Sequence, residues 1–252
     1  MKIVFHENFL QTYTSDPAAS VGRLDPALGL LEGRFPMVTP SPCSEKDILR
    51  AHTTFHLENV RHDRSVYPMA MLAAGATLKA AELAMAKEPA FALCRPPGHH
   101  ASPDSCWGFC YFNNIAVAVC WLLETGQVER ALIIDFDLHF GDGTSNIFAG
   151  EERVTFWHVS GRGNNDFVQN LEGYLQDKKA DIVAVSAGFD RHVRDWGGML
   201  ETEDYRAMGT ILAQHARENC GGRLFAALEG GYNAHSLGDS ILAFAEGVGS
   251  AR

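Results

Sequence analysis

Short unbroken apolar runs alternate along this chain with longer stretches in which apolar residues recur every three or four positions. The runs predict strands over residues 2–5, 91–95, 131–137, 154–159, 181–187 and 224–228. Ile133-Ile134 and Ile182-Val183-Ala184-Val185 carry no polar alternation, which suits strands buried on both faces of a parallel sheet. The longer stretches predict helices over 69–86, 114–124, 167–178, 203–219 and 236–248. Strand–helix alternation of this kind implies an α/β fold with a mainly parallel sheet and helices on both sides. No repeat, low-complexity tract or linker interrupts the pattern, so residues 1–252 read as one domain. The first 60 residues are less regular. Pro17, Pro26, Pro36, Pro40 and Pro42 divide them into loops and short helices.

In open α/β sheets, ligands bind beyond the carboxyl ends of the strands. Four apolar runs lead there into residues with ligand chemistry. Residues 91–95 precede Pro96-Pro97-Gly98-His99-His100, and 131–134 precede Asp135-Phe136-Asp137-Leu138-His139. Residues 182–187 precede Gly188-Phe189-Asp190-Arg191-His192, and 224–228 precede Glu229-Gly230-Gly231-Tyr232. Four such endings point to one shared site. In an extended chain, Asp135, Asp137 and His139 share a face. Two carboxylates so close repel unless a cation or a proton separates them. Asp137 and His139, joined by Asp190, would supply three ligands and leave an open position, as a catalytic zinc site does. Helix capping is the ordinary alternative for any one of these aspartates. His99 and His100 follow a stiff Pro-Pro-Gly turn and suit acid–base work. Such histidines need carboxylate partners, for which Asp135 and Asp142 are available.

Composition narrows the function classes. The chain has 21 Lys plus Arg against 31 Asp plus Glu, a formal net charge of −10. That balance argues against broad nucleic-acid binding and mildly favours cationic substrates. No stretch approaches the ~18 apolar residues of a membrane span, and the N-terminus lacks the apolar segment of a signal peptide. The six cysteines form no Cys-x-x-Cys pair, so a structural zinc ribbon is not expected, and without a signal peptide reduced thiols in a cytoplasm are.

With these residues assembled, the sequence resembles the histone deacetylase and acetylpolyamine amidohydrolase superfamily. The matching stretches are Arg95-Pro-Pro-Gly-His-His-Ala101, Gly108-Phe-Cys-Tyr-Phe-Asn-Asn114, Asp135-Phe-Asp-Leu-His-Phe-Gly-Asp-Gly-Thr144, Ser186-Ala-Gly-Phe-Asp-Arg-His192 and Glu229-Gly-Gly-Tyr232. The resemblance implies a three-layer αβα arginase/deacetylase-like fold with about seven to eight strands, and its compactness suggests a prokaryotic member. It implies that Asp137, His139 and Asp190 bind one catalytic Zn2+. His99 would pair with Asp135 and His100 with Asp142. His100 would move the proton of the attacking water and Tyr232 would donate to the substrate carbonyl. Gly108 and Phe109 would line an acyl-lysine channel. A structural K+ held by Asp135 and nearby carbonyls is also implied. The partner would be an acylated amine, an acetyl-lysine peptide or an acetylpolyamine. A homo-oligomer is a state the resemblance allows.

The sequence departs from this pattern between His158 and Asp190, where many relatives carry a longer Pro-Gly-rich loop. The short segment predicts a wider or shallower mouth, with Phe156, Trp157 and Phe167 as replacements for a missing channel aromatic. Arg162 in Ser160-Gly-Arg-Gly reads as a solvated loop residue, with contact to an acidic product as its alternative, and His192 reads as a supporting or surface residue. Asp63 and Asp104 could meet a cationic substrate. Two other functions stay in view. One is a binuclear manganese ureohydrolase on the same fold, which needs a second ligand set. The other is a catalytically silent acyl-lysine binding module, which has no need of both histidines, their partners and Tyr232.

Overall fold

The computed structural model describes residues 1–250. Its centre is a seven-stranded sheet, formed by β1 (Lys2–Val4), β2 (Met37–Val38), β3 (Ala90–Ala92), β4 (Ala131–Asp135), β5 (Val154–His158), β6 (Ile182–Ala187) and β7 (Leu224–Leu228). The strand order is β2-β1-β3-β7-β6-β4-β5, and every pairing is parallel. Every residue of β3, β4, β6 and β7 is buried, which is why these segments read as continuous apolar runs.

The helices are α1 (Asp25–Leu31), α2 (Glu45–Ile48), α3 (Thr54–His62), α4 (Tyr67–Met85), α5 (Asn114–Glu124), α6 (Asp142–Ile147), α7 (Asn164–Leu175), α8 (Thr202–Asn219) and α9 (Ala234–Ser250). One group, α4 with α5, covers β3, β6 and β7. A second group, α8 with α9, is packed on α1 and on β6 and β7, so the central strands are covered on both faces. None of the described helices is long and apolar enough to cross a membrane.

Topology positions the site. After β3 the chain lays down β4 three places away, and β6 and β7 later fill the gap. The carboxyl ends of β3, β7, β6 and β4 therefore stand side by side, at a change of direction in strand order. Register aligns them: Asp135 pairs with Ser186 and His158, and Ala187 with Leu228.

The predicted strands and long helices are present, with shifted ends. Residues 91–95 form a strand only to Ala92, because Pro96 and Pro97 cannot donate to a ladder. The strand from 131 stops at Asp135, whose side chain draws the next turn out of the sheet. Helix α7 begins at Asn164, ahead of the predicted 167. The sequence pattern did not reveal β2, two residues lying between Pro36 and Pro40 and too short for any period.

A candidate metal and acid–base site

The acidic cluster is built by backbone hydrogen bonding in a loop. The expected extended face of Asp135, Asp137 and His139 does not form, since only Asp135 lies in the strand. Its Oδ1 accepts the Asp137 N–H at 3.0 Å, and Asp137 Oδ1 accepts the His139 N–H at 2.9 Å. These two short-range bonds coil residues 135–139 and still bring the side chains together. Asp137 Oδ2 accepts the Gly230 N–H at 2.8 Å, and Asp190 Oδ1 accepts the Leu138 N–H at 3.0 Å.

Ligand atoms of Asp137, His139 and Asp190 lie within 4.8 Å of one another. His139 Nδ1 is 3.2 Å from both Asp137 Oδ1 and Asp190 Oδ2. Asp190 Oδ2 is nevertheless a buried oxygen without an aligned hydrogen bond. Glycine makes this approach feasible: a Cβ on Gly230 would stand 2.6 Å from Asp137 Oδ2 and from Asp190 Oδ2. The Asp137 carboxylate, which accepts from His139, and the Asp190 carboxylate beside it outweigh burial and raise His139 to about 10. Burial and the Asp137 carboxylate push Asp190 up as well. A proton thus stands where two carboxylates demand a positive charge. An oxygen–oxygen–nitrogen set with one orphaned oxygen suits a divalent cation in the same place.

Two histidine–aspartate pairs flank this cluster. His99 Nδ1 lies 3.0 Å from Asp135 Oδ2, and His100 Nδ1 lies 2.6 Å from Asp142 Oδ1. The pairing expected from the sequence is the pairing found. A carboxylate at Nδ1 keeps the proton there and leaves Nε2 as the functional atom. The two rings are tilted by 42° with centroids 4.1 Å apart. Their environments diverge. Burial opposes charge on His99, but Asp137 and Asp135 prevail and raise its pKa well above the usual value. Burial and His99 pull His100 below 6.5, against Asp142 and Asp137.

These groups open into a cavity of about 340 Å³, walled by Pro97, Trp107, Phe109, Trp196 and Tyr232 among others. Gly108 (φ +59°) and Phe109 (φ +66°) are both left-handed, an uncommon state for Phe. A Cβ on Gly108 would come 2.4 Å from His100 Cδ2, so this position excludes larger residues. The turn faces the Phe109 ring against Tyr232, at 6.0 Å and 78°. Burial and Asp137 keep the Tyr232 hydroxyl protonated, with Arg23 opposing weakly, so it remains a donor.

Several contributors were not singled out from the sequence. Trp107 covers His100 at 3.9 Å and donates Nε1–H to Asp142 Oδ2 at 2.8 Å. Trp196 stacks on Tyr232 at 3.9 Å. Asp195 Oδ2 accepts the Tyr232 and Asn233 N–H groups. Glu229 Oε2 accepts those of Gly98 and His99 at 2.6 and 3.1 Å, fixing the histidine turn. The structure marks Trp107 and Trp196 by exposure, each more than half exposed in the cavity wall, a signal that the sequence does not carry.

The expected channel aromatics lie elsewhere. Phe167 is buried in the core, Trp157 stacks on Tyr174 at 4.0 Å, and Phe156 packs near Phe140. The wall comes instead from Trp196, which follows Asp190 in the chain. Arg162 is exposed and not part of the cavity wall, and its N–H binds Asp166. His192 is buried near Thr202. Asp63 binds the Ser65 hydroxyl, and neither it nor Asp104 lines the cavity.

A K+ held near Asp135 does not fit. The carbonyls of Phe136, Asp137, Leu138 and Val159 already face the guanidinium of Arg191. A second cation there would meet like charge. A further cluster of His99, Cys110 and Glu229 is compact enough for a metal. There Glu229 Oε2 and the Cys110 sulfur accept backbone N–H groups, and Glu229 Oε1 has no partner.

The sequence profile of the histone deacetylase domain matches residues 18–167 and 159–248. A probable deacetylase of Archaeoglobus fulgidus is 31% identical, over 92% of this chain and 81% of its own. A histone deacetylase-like amidohydrolase of Pseudomonas aeruginosa is 28% identical, over 81% of this chain and 68% of its own. Among solved structures, the HDA15 HD domain superposes with a TM-score of 0.85 at 23% identity, covering 99% of this chain and 89% of that one, a likeness of fold.

Proposed function

Because this chain belongs to the histone deacetylase family, we propose that it is a zinc-dependent amidohydrolase that removes acetyl or longer acyl groups from lysine side chains or polyamines. The observation that carries this reading is the convergence of the Asp137–His139–Asp190 donor set, two aspartate-paired histidines and the Tyr232 ring on one cavity. We take the chain as one domain acting in the cytoplasm, with no nucleic acid or membrane as partner.

Asp137, His139 and Asp190 would hold the cation. When bound, it supplies Lewis-acid polarisation of the scissile carbonyl and lowers the pKa of water to about 7. His100, kept neutral by burial and by its charged neighbour, takes the water proton at Nε2. The same atom later gives that proton to the departing amine. His99, held charged by Asp135 and Asp137, stabilises developing negative charge electrostatically. Tyr232 donates its hydroxyl proton in a hydrogen bond to the carbonyl oxygen as that oxygen becomes an oxyanion. Phe109, Trp107 and Trp196 exclude water and grip the acyl-bearing chain by its apolar stem.

The test combines metal content with kcat/KM on acetyl-lysine peptides, acetylputrescine, acetylspermidine and longer acyl-lysines. One equivalent of zinc with amide hydrolysis supports the reading. Two equivalents of manganese with ureohydrolase activity would replace it, and bound zinc without turnover would leave a binding module. A preference of tenfold or more for acetylpolyamines assigns amine metabolism, since kcat/KM ratios report transition-state discrimination.

A further inference from the structure

The guanidinium of Arg191 lies in a cage of oxygen atoms. Nε–H faces the Asp137 carbonyl at 3.0 Å and that of Phe136 at 3.3 Å. Nη2 lies 3.3 Å from the Leu138 carbonyl, 3.5 Å from that of Val159 and 3.1 Å from His158 Nε2. The Phe167 ring closes one side, 4.9 Å from the guanidinium carbon. Successive carbonyls converging in this way create a negative pocket, which needs a positive charge to be stable.

The cage is mechanically tied to the donor set. Asp190 Oδ1 accepts the Leu138 N–H while the next residue, Arg191, donates to the Leu138 carbonyl. Two adjacent side chains thus clasp one residue, Leu138, by its N–H and its carbonyl. Leu138 lies between Asp137 and His139, so the clasp sets the position of both relative to Asp190.

We propose that Arg191 is a built-in cation, a positioning residue whose guanidinium fills the carbonyl cage and makes the site independent of free monovalent cations. An arginine suits this role because its planar fork serves several acceptors at once and stays charged when half-buried. This inference rests on the hydrolase reading for its activity arm only.

The experiment compares wild type, Arg191→Ala and Arg191→Lys in NaCl and in KCl at equal ionic strength, with Tm and turnover read in parallel. Wild type should show the same Tm and the same kcat in both salts. Arg191→Ala should lose about 10²-fold in kcat, as expected of a misplaced catalytic group. Its emptied cage should then accept K+, raising Tm in KCl over NaCl by mass action and restoring part of the turnover. Low concentrations of guanidinium chloride should restore turnover too. Arg191→Lys, which keeps the charge without the fork, should fall between the two and shows the effect even if the alanine variant does not fold.

K+-dependent Tm or turnover in wild type would overturn the proposal. So would an Arg191→Ala protein with wild-type kcat, or with Tm and turnover indifferent to both K+ and guanidinium. The Tm arm needs no substrate. If wild type hydrolyses no amide while the Tm pattern holds, the hydrolase reading fails and the built-in cation stands.

Discussion

Replacing Trp107 by Phe should move the acid limb of the pH profile upward without dismantling the site. The perturbation is narrow. Phe keeps an aromatic ring over His100, where the indole sits at 3.9 Å and 33°, and removes only the Nε1–H donated to Asp142 at 2.8 Å. In wild type Asp142 divides its charge between that donor and His100 Nδ1 at 2.6 Å. Burial raises Asp142, and its bonds to His100 and Trp107 bring it below the usual carboxylate value. Losing the indole leaves a more basic carboxylate that supports protonated His100 better, so the His100 pKa rises.

The magnitude follows from the geometry. A hydrogen bond to a charged group contributes about 1.5–3 kcal/mol. The Asp142 side chain is 37% exposed and Trp107 is 56% exposed, so solvent screening favours the lower bound. If about half of it reaches His100 through the shared carboxylate, the shift is ~0.7 kcal/mol, or about half a pKa unit. The assay is kcat/KM against pH, which reports free-enzyme groups. In wild type the limb should lie below 6.5, because burial and His99 depress His100. An unmoved or lowered limb in Trp107→Phe would refute the coupling, and with it the assignment of His100 as the base.

Tyr232→Phe should keep its metal and lose about 10²–10³-fold in kcat, the usual effect of removing one oxyanion donor; wild-type turnover would discard that role. Asp190→Asn should lose its metal on dialysis, read by metal analysis, and full stoichiometry would remove Asp190 from the donor set. Gly108→Ala places a Cβ 2.4 Å from His100 Cδ2 at a left-handed position, and should cost about 10²-fold in kcat. Unchanged kinetics there would show that the turn yields. For metal-free protein, His139 rises from 6.5 to about 10 through Asp137 and Asp190, so its contribution is whole below pH 6.5 and is lost by about pH 10. Tm should fall with rising pH across that window after chelation and stay level when zinc takes the place of the proton; a level Tm in both states would sink this account.

The parallel sheet was legible because its strands are buried on both faces and therefore continuously apolar. The site residues were legible because they stand at or just beyond strand ends: Asp135 ends β4, Glu229 follows β7 directly, and Asp190 comes three residues after the end of β6. The reasoning that grouped Asp135, Asp137 and His139 reached the right cluster through a strand that does not exist beyond Asp135. Side chains of Asp bonding to N–H groups two residues on produce the same convergence, and sequence spacing alone does not separate the two geometries. What stayed hidden depends on long-range contact. Trp107 reaches across 35 residues to Asp142, and Arg191 reaches back 55 to Phe136. The channel wall was sought in the 158–190 segment, but Trp157 and Phe167 turn to Tyr174 and Arg191, leaving the wall to Trp196.

Charge balance explains why these hidden residues belong to the site. Asp135, Asp137, Asp190 and Glu229 are all fully buried at one end of the sheet. A carboxylate withdrawn from water without partners costs several kcal/mol, so each must be compensated. His99 and the Asp137 N–H serve Asp135, while Gly230 and His139 N–H groups serve Asp137. Glu229 takes the N–H groups of Gly98 and His99. The carbonyls turned inward by the coiled loop are answered by Arg191, and those of Glu229 and Gly231 by Arg23 at 2.7 Å. Two oxygens of these carboxylates lack an aligned hydrogen bond, Glu229 Oε1 and Asp190 Oδ2, and of the two Asp190 Oδ2 is the one that lies 3.2 Å from His139 Nδ1. The open oxygen of Asp190 therefore stands where Asp137 and His139 also present donor atoms. A divalent cation held by Asp137, His139 and Asp190 would complete the balance there and would supply Lewis-acid chemistry.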